Sequence, residues 1–466
     1  MINKFLLKPP IIFLAILIIG LFFRLYKFPE FFIFEHDQDL YSWIAKDILS
    51  GDMRLIGQET SIQGFFVGPL FYYFISFLYK IFNYDPLSVS SLSTLIYIST
   101  FVSIYYVFSK NFSSRVGLIG AFIYSASFSI SLIDRWIVPT QFVILWSVWF
   151  LYLILNILKK RNTHFPIIGI LAGLIWHIHI GLLPLLILIP ISMYLSNVKI
   201  TKRQIIESLI LFSVLISPYV IFEFRHNFMQ TFSFLKSATE ERGSVGGIQR
   251  LYIAIDSISI ALAKSFIYYI KISSFIFPLI FSGILFFLKQ KKIFSKNQMI
   301  VIIAWLFIIS IFQFVSKREI SEYYFNSLIV IGILFQSLFI NKIFLKRKFL
   351  LIIFLLLFLL LNFNYLGKSD PQYGYAYKKQ IVETIVADYN KNLYQCAAAS
   401  YIADRGVGVG FRYLLWFYKI NTIVPTDKIP VYDIIIPKDK IDKPEKIIGG
   451  FGLNFPKDKN YDFSLC

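Results

Sequence analysis

A chain of 466 residues that is 57% hydrophobic, 19% aromatic and only 16% charged is too apolar for a soluble domain, in which about a quarter of residues carry charge. The mean hydropathy of +0.67 agrees. The formal charge of +19 invites a nucleic-acid role, but that class is excluded once the basic residues prove to lie in short loops on one membrane face, as they do below.

The chain opens with MINKFLLKPPIIFLAILIIGLFFRLYKF, a basic start followed by an apolar run. It carries no A-x-A cleavage site, so it reads as a retained signal anchor with Lys4 and Lys8 inside. Apolar runs of roughly 20 residues then recur, which predicts spanning helices. The eleven spans are 9–27, 87–108, 116–133, 138–158, 166–181, 182–196, 205–224, 273–288, 299–316, 323–341 and 349–366. The run GPLFYYFISFLYKIF, near 67–82, differs: it starts with Gly-Pro, is short, and carries Lys80 near its end.

Loop charge decides how that run lies. If it stays in the interface, the inner loops are KNFSSR, KKRNTH, NVKITKRQ, KQKKIFSKN and NKIFLKRK plus the N-terminus, with 18 Lys and Arg. The short outer loops then hold only Arg135, Lys317 and Arg318. If it crosses, the basic loops fall outside and the agreement collapses. The run is therefore read as an aromatic interfacial helix, with the N-terminus inside and the C-terminus outside. In 225–272, the stretch LYIAIDSISIALAKSFIYYI is also read as interfacial, because a lone Asp256 or Lys264 at mid-bilayer costs at least ~2.5 kcal/mol.

From Gly367 the apolar runs stop. KKQIVETIVADYNK has helical periodicity, YQCAAASYIA and VYDIIIPKD read as strands, and GVGVGFRYLLWFYK as a loop leading into a helix. The expected architecture is a polytopic α-helical membrane protein, with about 11 transmembrane helices in a domain 1–366 and a small extracytoplasmic α/β domain at 367–466. The two cysteines, Cys396 and Cys466, show no CxxC or Cys/His spacing, so neither a zinc site nor a disulfide framework is indicated.

The polar features collect on the outer side. In the first outer loop, 28–86, the stretch FIFEHDQDLYSWIAKDIL packs Glu35, His36, Asp37 and Asp39 into five positions. Spacing puts Asp39, Trp43 and Lys46 on one helix face, with Asp37 at or just before the helix start. Asp37 then reads either as a functional acid or as an N-cap, and Asp39 either as functional or as a solvated first-turn carboxylate. In SLIDRWIVP, Asp134 and Arg135 lie at the outer ends of two spans, where pairing with each other or snorkelling is the bland alternative. In GLIWHIHIGLLP, His177 and His179 are too close to share a helix face, which argues against a metal pair; a histidine on a phosphate or satisfied locally fits better. SKREISEYYF adds Lys317, Arg318, Glu319, Glu322 and Tyr323, where the cations bind an anionic headgroup or pair with the glutamates.

Carboxylates facing Arg, Lys and His at an outer interface suit glycosyl transfer from a lipid-linked donor. A carboxylate takes the proton of an acceptor hydroxyl while cations hold the departing lipid phosphate. A lipid or polysaccharide transporter or flippase, and a surface-glycan polymerase or ligase, are the competing classes. A flippase would place ionisable groups through the midplane, where LSVSSLSTLIYISTFVS has only Ser and Thr. A polymerase or ligase would carry a large outer loop between late spans, and 225–272 has no strong carboxylate pair.

The ordered stretches FRLYKFP, FEHDQDLYSWIAKDIL, GQETSIQGFFVGPLFYYF, NYDPLSVSSLSTLIYI, SRVGLIGAFIYSASFSISLIDRWIVPTQFVI, GILAGLIWHIHIGLLPLL and EYYFNSLIVIG resemble GT-C glycosyltransferases that use polyprenyl-phosphate sugars. That group includes protein O-mannosyltransferases, the aminoarabinose transferase of lipid A and RgtA/B/C/D-like bacterial enzymes, and RYLLWFY resembles the soluble domain of some members. The resemblance implies a base role for Asp37 with support from Asp39, and donor phosphate contacts for Arg135 and His179. Lys317 and Arg318 join these on charge alone, with Asp134, Glu322 and Tyr323 as supporting candidates. In the family an acid often follows the first Asp directly; here Gln38 stands there. The implied partners are a polyprenyl-phosphate sugar and a glycan, lipid or protein acceptor at the cell membrane, and the implied chemistry is inversion. Metal dependence varies in the wider superfold; the sequence supplies no firm ligand set, and a divalent metal is left open.

Overall fold

The structure is a computed structural model, and it describes residues 9–161, 164–239, 247–265, 276–315, 322–404, 409–441, 443–457 and 461–466. The apolar runs form helices because hydrocarbon leaves the backbone no partner but itself. They are α1 (Pro9–Leu25), then α2 (His36–Leu49) and α3 (Leu70–Ile81) in the first loop, then α4 (Val89–Asn111), α5 (Ser114–Ala126) and α6 (Phe128–Arg135). Next come α7 (Val143–Leu158), α8 (Ile167–Ile178), a 3-10 segment Ile180–Ile187 running into α9 (Leu188–Ser196), α10 (Lys202–Arg225) and α11 (Met229–Thr239). The bundle closes with α12 (Gly247–Ala263), α13 (Ile276–Gln290), α14 (Lys296–Val315), α15 (Leu328–Ile343) and α16 (Lys348–Lys368).

Every predicted span holds a helix. Among the described residues, five helices are long and apolar enough to cross a bilayer, or six when a bent pair counts as one. The chain is a multi-pass membrane protein. At 12 residues α3 rises only ~18 Å, short of the ~30 Å hydrocarbon core, and its buried Phe71, Tyr72, Ile75 and Tyr79 face α2 and the tail. The length of α12 falls within the described residues, but 266–275, where the run 251–270 would end or continue, lies outside them.

The predicted span 116–133 is not one straight helix. It breaks at Ser127, and α5 and α6 meet at 66°. Ser127 takes an extended conformation, and its hydroxyl caps the Ile130 N–H and donates to Lys264 O at 2.7 Å. The N–H of Phe128 is accepted by Asn362 Oδ1 at 2.9 Å, so the freed backbone groups are met by side chains.

A buried ion pair braces this bend. Arg24, at the end of α1, donates to Asp134 on α6 at 2.9 Å, to Ser125 O at 2.8 Å and to Tyr124 O at 2.9 Å. The guanidinium lies between the rings of Tyr97 (4.3 Å) and Tyr124 (4.9 Å), and the Tyr124 hydroxyl donates to the same Asp134 oxygen at 2.9 Å. Buried charge is tolerated here because it is paired and fully hydrogen-bonded.

After α16 the tail forms α17 (Tyr375–Lys391), β1 (Ala398–Ala403), α18 (Arg412–Phe417), β2 (Val431–Ile436), β3 (Lys446–Ile448) and β4 (Phe451–Asn454). The sheet order is β1-β2-β4-β3, parallel between β1 and β2 and antiparallel elsewhere. Both predicted strands and both predicted helices are present. The β3–β4 hairpin was not predicted, although Gly449-Gly450 between KII and FGLN is a hairpin signal, with Gly449 at φ 57°.

Two features tie the tail down. Cys396 and Cys466 form a disulfide across 70 residues, which the spacing of the two cysteines did not indicate. Phe28, Phe32, Phe34, Tyr41 and Tyr79 of the first loop also share one apolar core with Tyr375, Phe411, Tyr413 and Phe451 of the tail. The amide of Tyr375 donates to Phe32 O at 2.8 Å, and a Cβ at Gly374 would sit 1.7 Å from Glu30 O, so only glycine lets the backbones approach.

Candidate active site

The site is built on the start of α2. Glu35, extended at φ −117°, is the N-cap residue, and its N–H donates to Gln38 Oε1 at 3.0 Å. The N-cap reading of Asp37 is therefore overturned: Asp37 lies inside the first turn and its carboxyl is not needed to start the helix. Gln38 explains the departure from an acid at this position. It accepts from Glu35 and donates through Nε2 to Ile137 O at 3.1 Å, and an ionised acid cannot make the second bond. Gln38 thus fastens α2 to the segment after Arg135.

The two acids of α2 face different surroundings. Asp37 is half-buried, and burial raises its carboxyl above the ordinary range, opposed by the charge of His36 and a hydrogen bond from the Gln58 side chain. Asp39 is only 6% exposed, so it is not a solvated first-turn acid. Burial raises it too, against the Tyr413 amide, Arg412 and Lys378, and its Oδ1 accepts from Tyr413 N–H at 2.8 Å, at the open start of α18. Trp43 and Lys46 follow on the same face, as the spacing predicts. Lys46 lies 5.1 Å from both the Trp43 and Trp416 rings, so this face is a seam against the tail. Asp39→Asn keeps an acceptor oxygen and should leave melting nearly unchanged. Asp39→Ala should lower stability by about 1 kcal/mol, as loss of a cap does, measurable by thermal unfolding in detergent.

Lys378 on α17 completes the seam and was not singled out by sequence reasoning. Its ammonium donates to Phe34 O and to Val409 O, and burial pushes it down to about 8 against the pull of Glu35 and Asp39. Nothing distinguishes it from its neighbour Lys379 in KKQ; only the fold selects it.

Arg135 and Asp134 do not pair with each other. Asp134 is bonded by Arg24 and Tyr124, and among the described residues no carboxylate forms an ion pair with Arg135. Arg135 is 1% exposed, so it does not snorkel either. Its Nη2 donates to Phe23 O and its guanidinium lies 4.4 Å from the Phe31 ring. Its Nε and Nη1 are buried with no hydrogen-bond partner among the described residues. Such groups cost free energy unless something meets them.

The histidines point to separate partners. His177 Nε2 meets Leu215 O at 2.8 Å, and its Nδ1 accepts from Leu70 N–H at 3.4 Å. His179 Nδ1 accepts from Gly181 N–H at 3.1 Å, which puts the ring proton on Nε2. The His179 ring packs on Tyr323 (5.7 Å) and Tyr324 (5.0 Å), and Tyr323 meets Trp136 edge-on at 6.3 Å. Tyr323 therefore joins the Arg135–Trp136 segment to His179. Glu322 begins the same short 3-10 turn, Glu322–Phe325. Lys317, Arg318 and Glu319 lie outside the described residues. Among the described residues, no three His, Cys, Asp or Glu side chains come together as a metal would need.

Beside this constellation, α3, α7 and α8 enclose an apolar cavity of about 480 Å³, lined by Phe71, Phe74, Trp146, Trp149 and Leu171, with His177 at its wall.

Residues 67–222, about a third of the chain, match the family described as dolichyl-phosphate-mannose-protein mannosyltransferase. No curated protein matches the sequence. Among solved structures the chain is similar to ArnT from Cupriavidus metallidurans, bound to undecaprenyl phosphate (TM-score 0.59) and apo (0.58), each at 10% identity over 95% of this chain and 97% of that one. The likeness to the Archaeoglobus fulgidus oligosaccharyltransferase is lower, with a TM-score of 0.46 at 13% identity over 92% of this chain and 68% of that one. The chain has the fold of ArnT, the GT-C glycosyltransferase fold that the sequence suggested.

Proposed function

We propose that the protein transfers a sugar from a polyprenyl-phosphate donor to an acceptor hydroxyl on the outer face of the membrane. The observation that carries this reading is Arg135, a buried guanidinium with two unmet N–H groups, whose segment is fastened to the Asp37 helix through Gln38. Two N–H groups of one guanidinium match two oxygens of a phosphate. The His179 Nε2 proton and the cations Lys317 and Arg318 supply further donors to the same anion. Asp37 takes the acceptor proton as the acceptor oxygen attacks the anomeric carbon. The bond from that carbon to the phosphate oxygen breaks with inversion, and its electron pair leaves on the lipid phosphate. The apolar cavity beside α3 suits the isoprenoid chain, and the undecaprenyl phosphate in the ArnT crystal structure supports that class of donor. The Cys396–Cys466 disulfide supports an extracytoplasmic tail, since disulfides persist in oxidising compartments.

The test uses liposomes holding the full chain. The donor is polyprenyl-phosphate sugar extracted from the producing cells after growth on labelled glucose, and the acceptor is the delipidated envelope of the same cells. Label should move to the envelope and leave polyprenyl monophosphate. Polyprenyl diphosphate as product, or no movement of label, would refute the reading.

A further inference from the structure

The entry to α2 runs extended, with Phe32 at φ −72°, ψ 111° and Glu35 at φ −117°, ψ −154°. An extended chain repeats every two residues, so the carbonyls of Phe32 and Phe34 point the same way. Both meet the tail. Tyr375 N–H donates to Phe32 O at 2.8 Å, and the Lys378 ammonium donates to Phe34 O and, at 2.7 Å, to Val409 O. Gly410, at φ 60°, lies on the same carbonyl: a Cβ there would sit 2.6 Å from Phe34 O and 2.7 Å from Glu35 Cα. Only glycine lets the loop rest on this entry.

The tail also holds the far side of Asp37, where Asp39 Oδ1 accepts from Tyr413 N–H at 2.8 Å. Asp37 is thus bracketed, by a backbone clamp three residues before it and a side-chain clamp two residues after it. Local preference does not supply this order, because glutamate is a weak N-cap and Glu35 stands at that position. Packing alone does not call for a lysine either. Lys378 is 2% exposed, 5.2 Å from the Phe411 ring and 5.8 Å from that of Phe451. An apolar side chain would fill that place without the desolvation cost of an ammonium. What the ammonium adds is the grip on Phe34 O and Val409 O.

We infer that Lys378 is a positioning residue for Asp37, and that through Lys378 and Gly410 the tail takes part in sugar transfer by fixing the first turn of α2. This rests on Asp37 acting as the base. Lys378 acts through the backbone at Phe34, so its loss should displace the base. The hold on the donor phosphate, which the proposed function assigns to Arg135, should remain.

The test compares Lys378→Met, Asp37→Asn and the two combined with the native chain, using the labelled native donor and envelope acceptor in liposomes. Gly410→Ala, alone and with Asp37→Asn, disturbs the same joint and carries the test should Lys378→Met not fold. Tyr432→Phe, which removes a 2.8 Å bond to Asp388 inside the tail, controls for stability alone. Folded protein is counted from its monodisperse gel-filtration peak. Per folded molecule, Lys378→Met and Gly410→Ala should lower kcat about 10- to 100-fold, as a small displacement of a reacting group does. The half-saturation for donor lipid should stay native, and Tyr432→Phe should keep the native kcat. Added to Asp37→Asn, Lys378→Met should cost no further rate, because residues acting through one group are not additive. A native kcat in the folded Lys378→Met chain overturns the inference. So does a further loss of the same size in the combined variant, or a matching loss in Tyr432→Phe, which would mark stability alone. If Asp37→Asn is inactive while Lys378→Met is normal, only this inference fails; if Asp37→Asn keeps the native rate, the base assignment fails and this inference with it.

Discussion

Asp37→Asn should slow sugar transfer by at least about 100-fold, the lower end of what a positioned general base contributes, while the protein folds and melts as the native chain does. The second half of that expectation comes from the local geometry. Glu35 and Gln38 start the helix, so replacing the Asp37 carboxylate by an isosteric amide removes no cap. Because burial raises the Asp37 carboxyl, the native rate should fall with decreasing pH from above the ordinary carboxylate range and level off on the alkaline side, where the base is ionised. Asp39→Asn should stay near native rates in the same assay, since its oxygen still receives the Tyr413 amide. A transfer rate for Asp37→Asn within a few fold of native would remove Asp37 from the chemistry.

Arg135→Met should separate stability from function in the other direction. The guanidinium is buried, and among the described residues two of its N–H groups are unmet and no carboxylate forms an ion pair with it, so an apolar side chain of similar length relieves a desolvated charge. Melting of the ligand-free variant should equal or exceed the native value. Transfer should fall about 100- to 1,000-fold, the range seen when one donor to a developing anion is removed. Undecaprenyl phosphate added to the native chain should raise its melting temperature, as any ligand that binds only the folded state does, and that rise should vanish in Arg135→Met. An unchanged rise would mean that the phosphate is held elsewhere, with Lys317 and Arg318 the first alternatives.

The helices were legible because hydropathy is local: each apolar run marks its own segment whatever it packs against. The break at Ser127 was not legible from hydropathy, since the residues on both sides are apolar and the cause is a side-chain cap completed by Asn362 and Lys264, more than a hundred positions away. In the candidate site, the sequence singled out the acids, Arg135 and His179 and left their local partners open. The Arg24–Asp134 pair spans 110 residues, so Asp134 looked available to its neighbour Arg135. The first-turn position of Asp37 depended on Glu35 serving as cap, which residue preferences do not favour. Lys378 and Arg412 act on Asp39 through contacts between segments far apart in the chain, and single-residue chemistry gave no signal for them. The paired strands of GGFGLN could have been recognised from the diglycine alone.

The Arg24–Asp134 pair also fixes an order of events during biogenesis. Arg24 emerges from the ribosome at the end of α1, long before its carboxylate partner has been synthesised. In that interval α1 must enter the bilayer with a bare guanidinium, which is tolerable near a helix end because the side chain can reach the headgroups. Only when the α5–α6 pair arrives can the arginine turn inward, and the same docking buries Arg135, which forms no ion pair among the described residues. Assembly of α1 against α6 is thus the step at which an inserted but unfinished bundle acquires the buried guanidinium of Arg135.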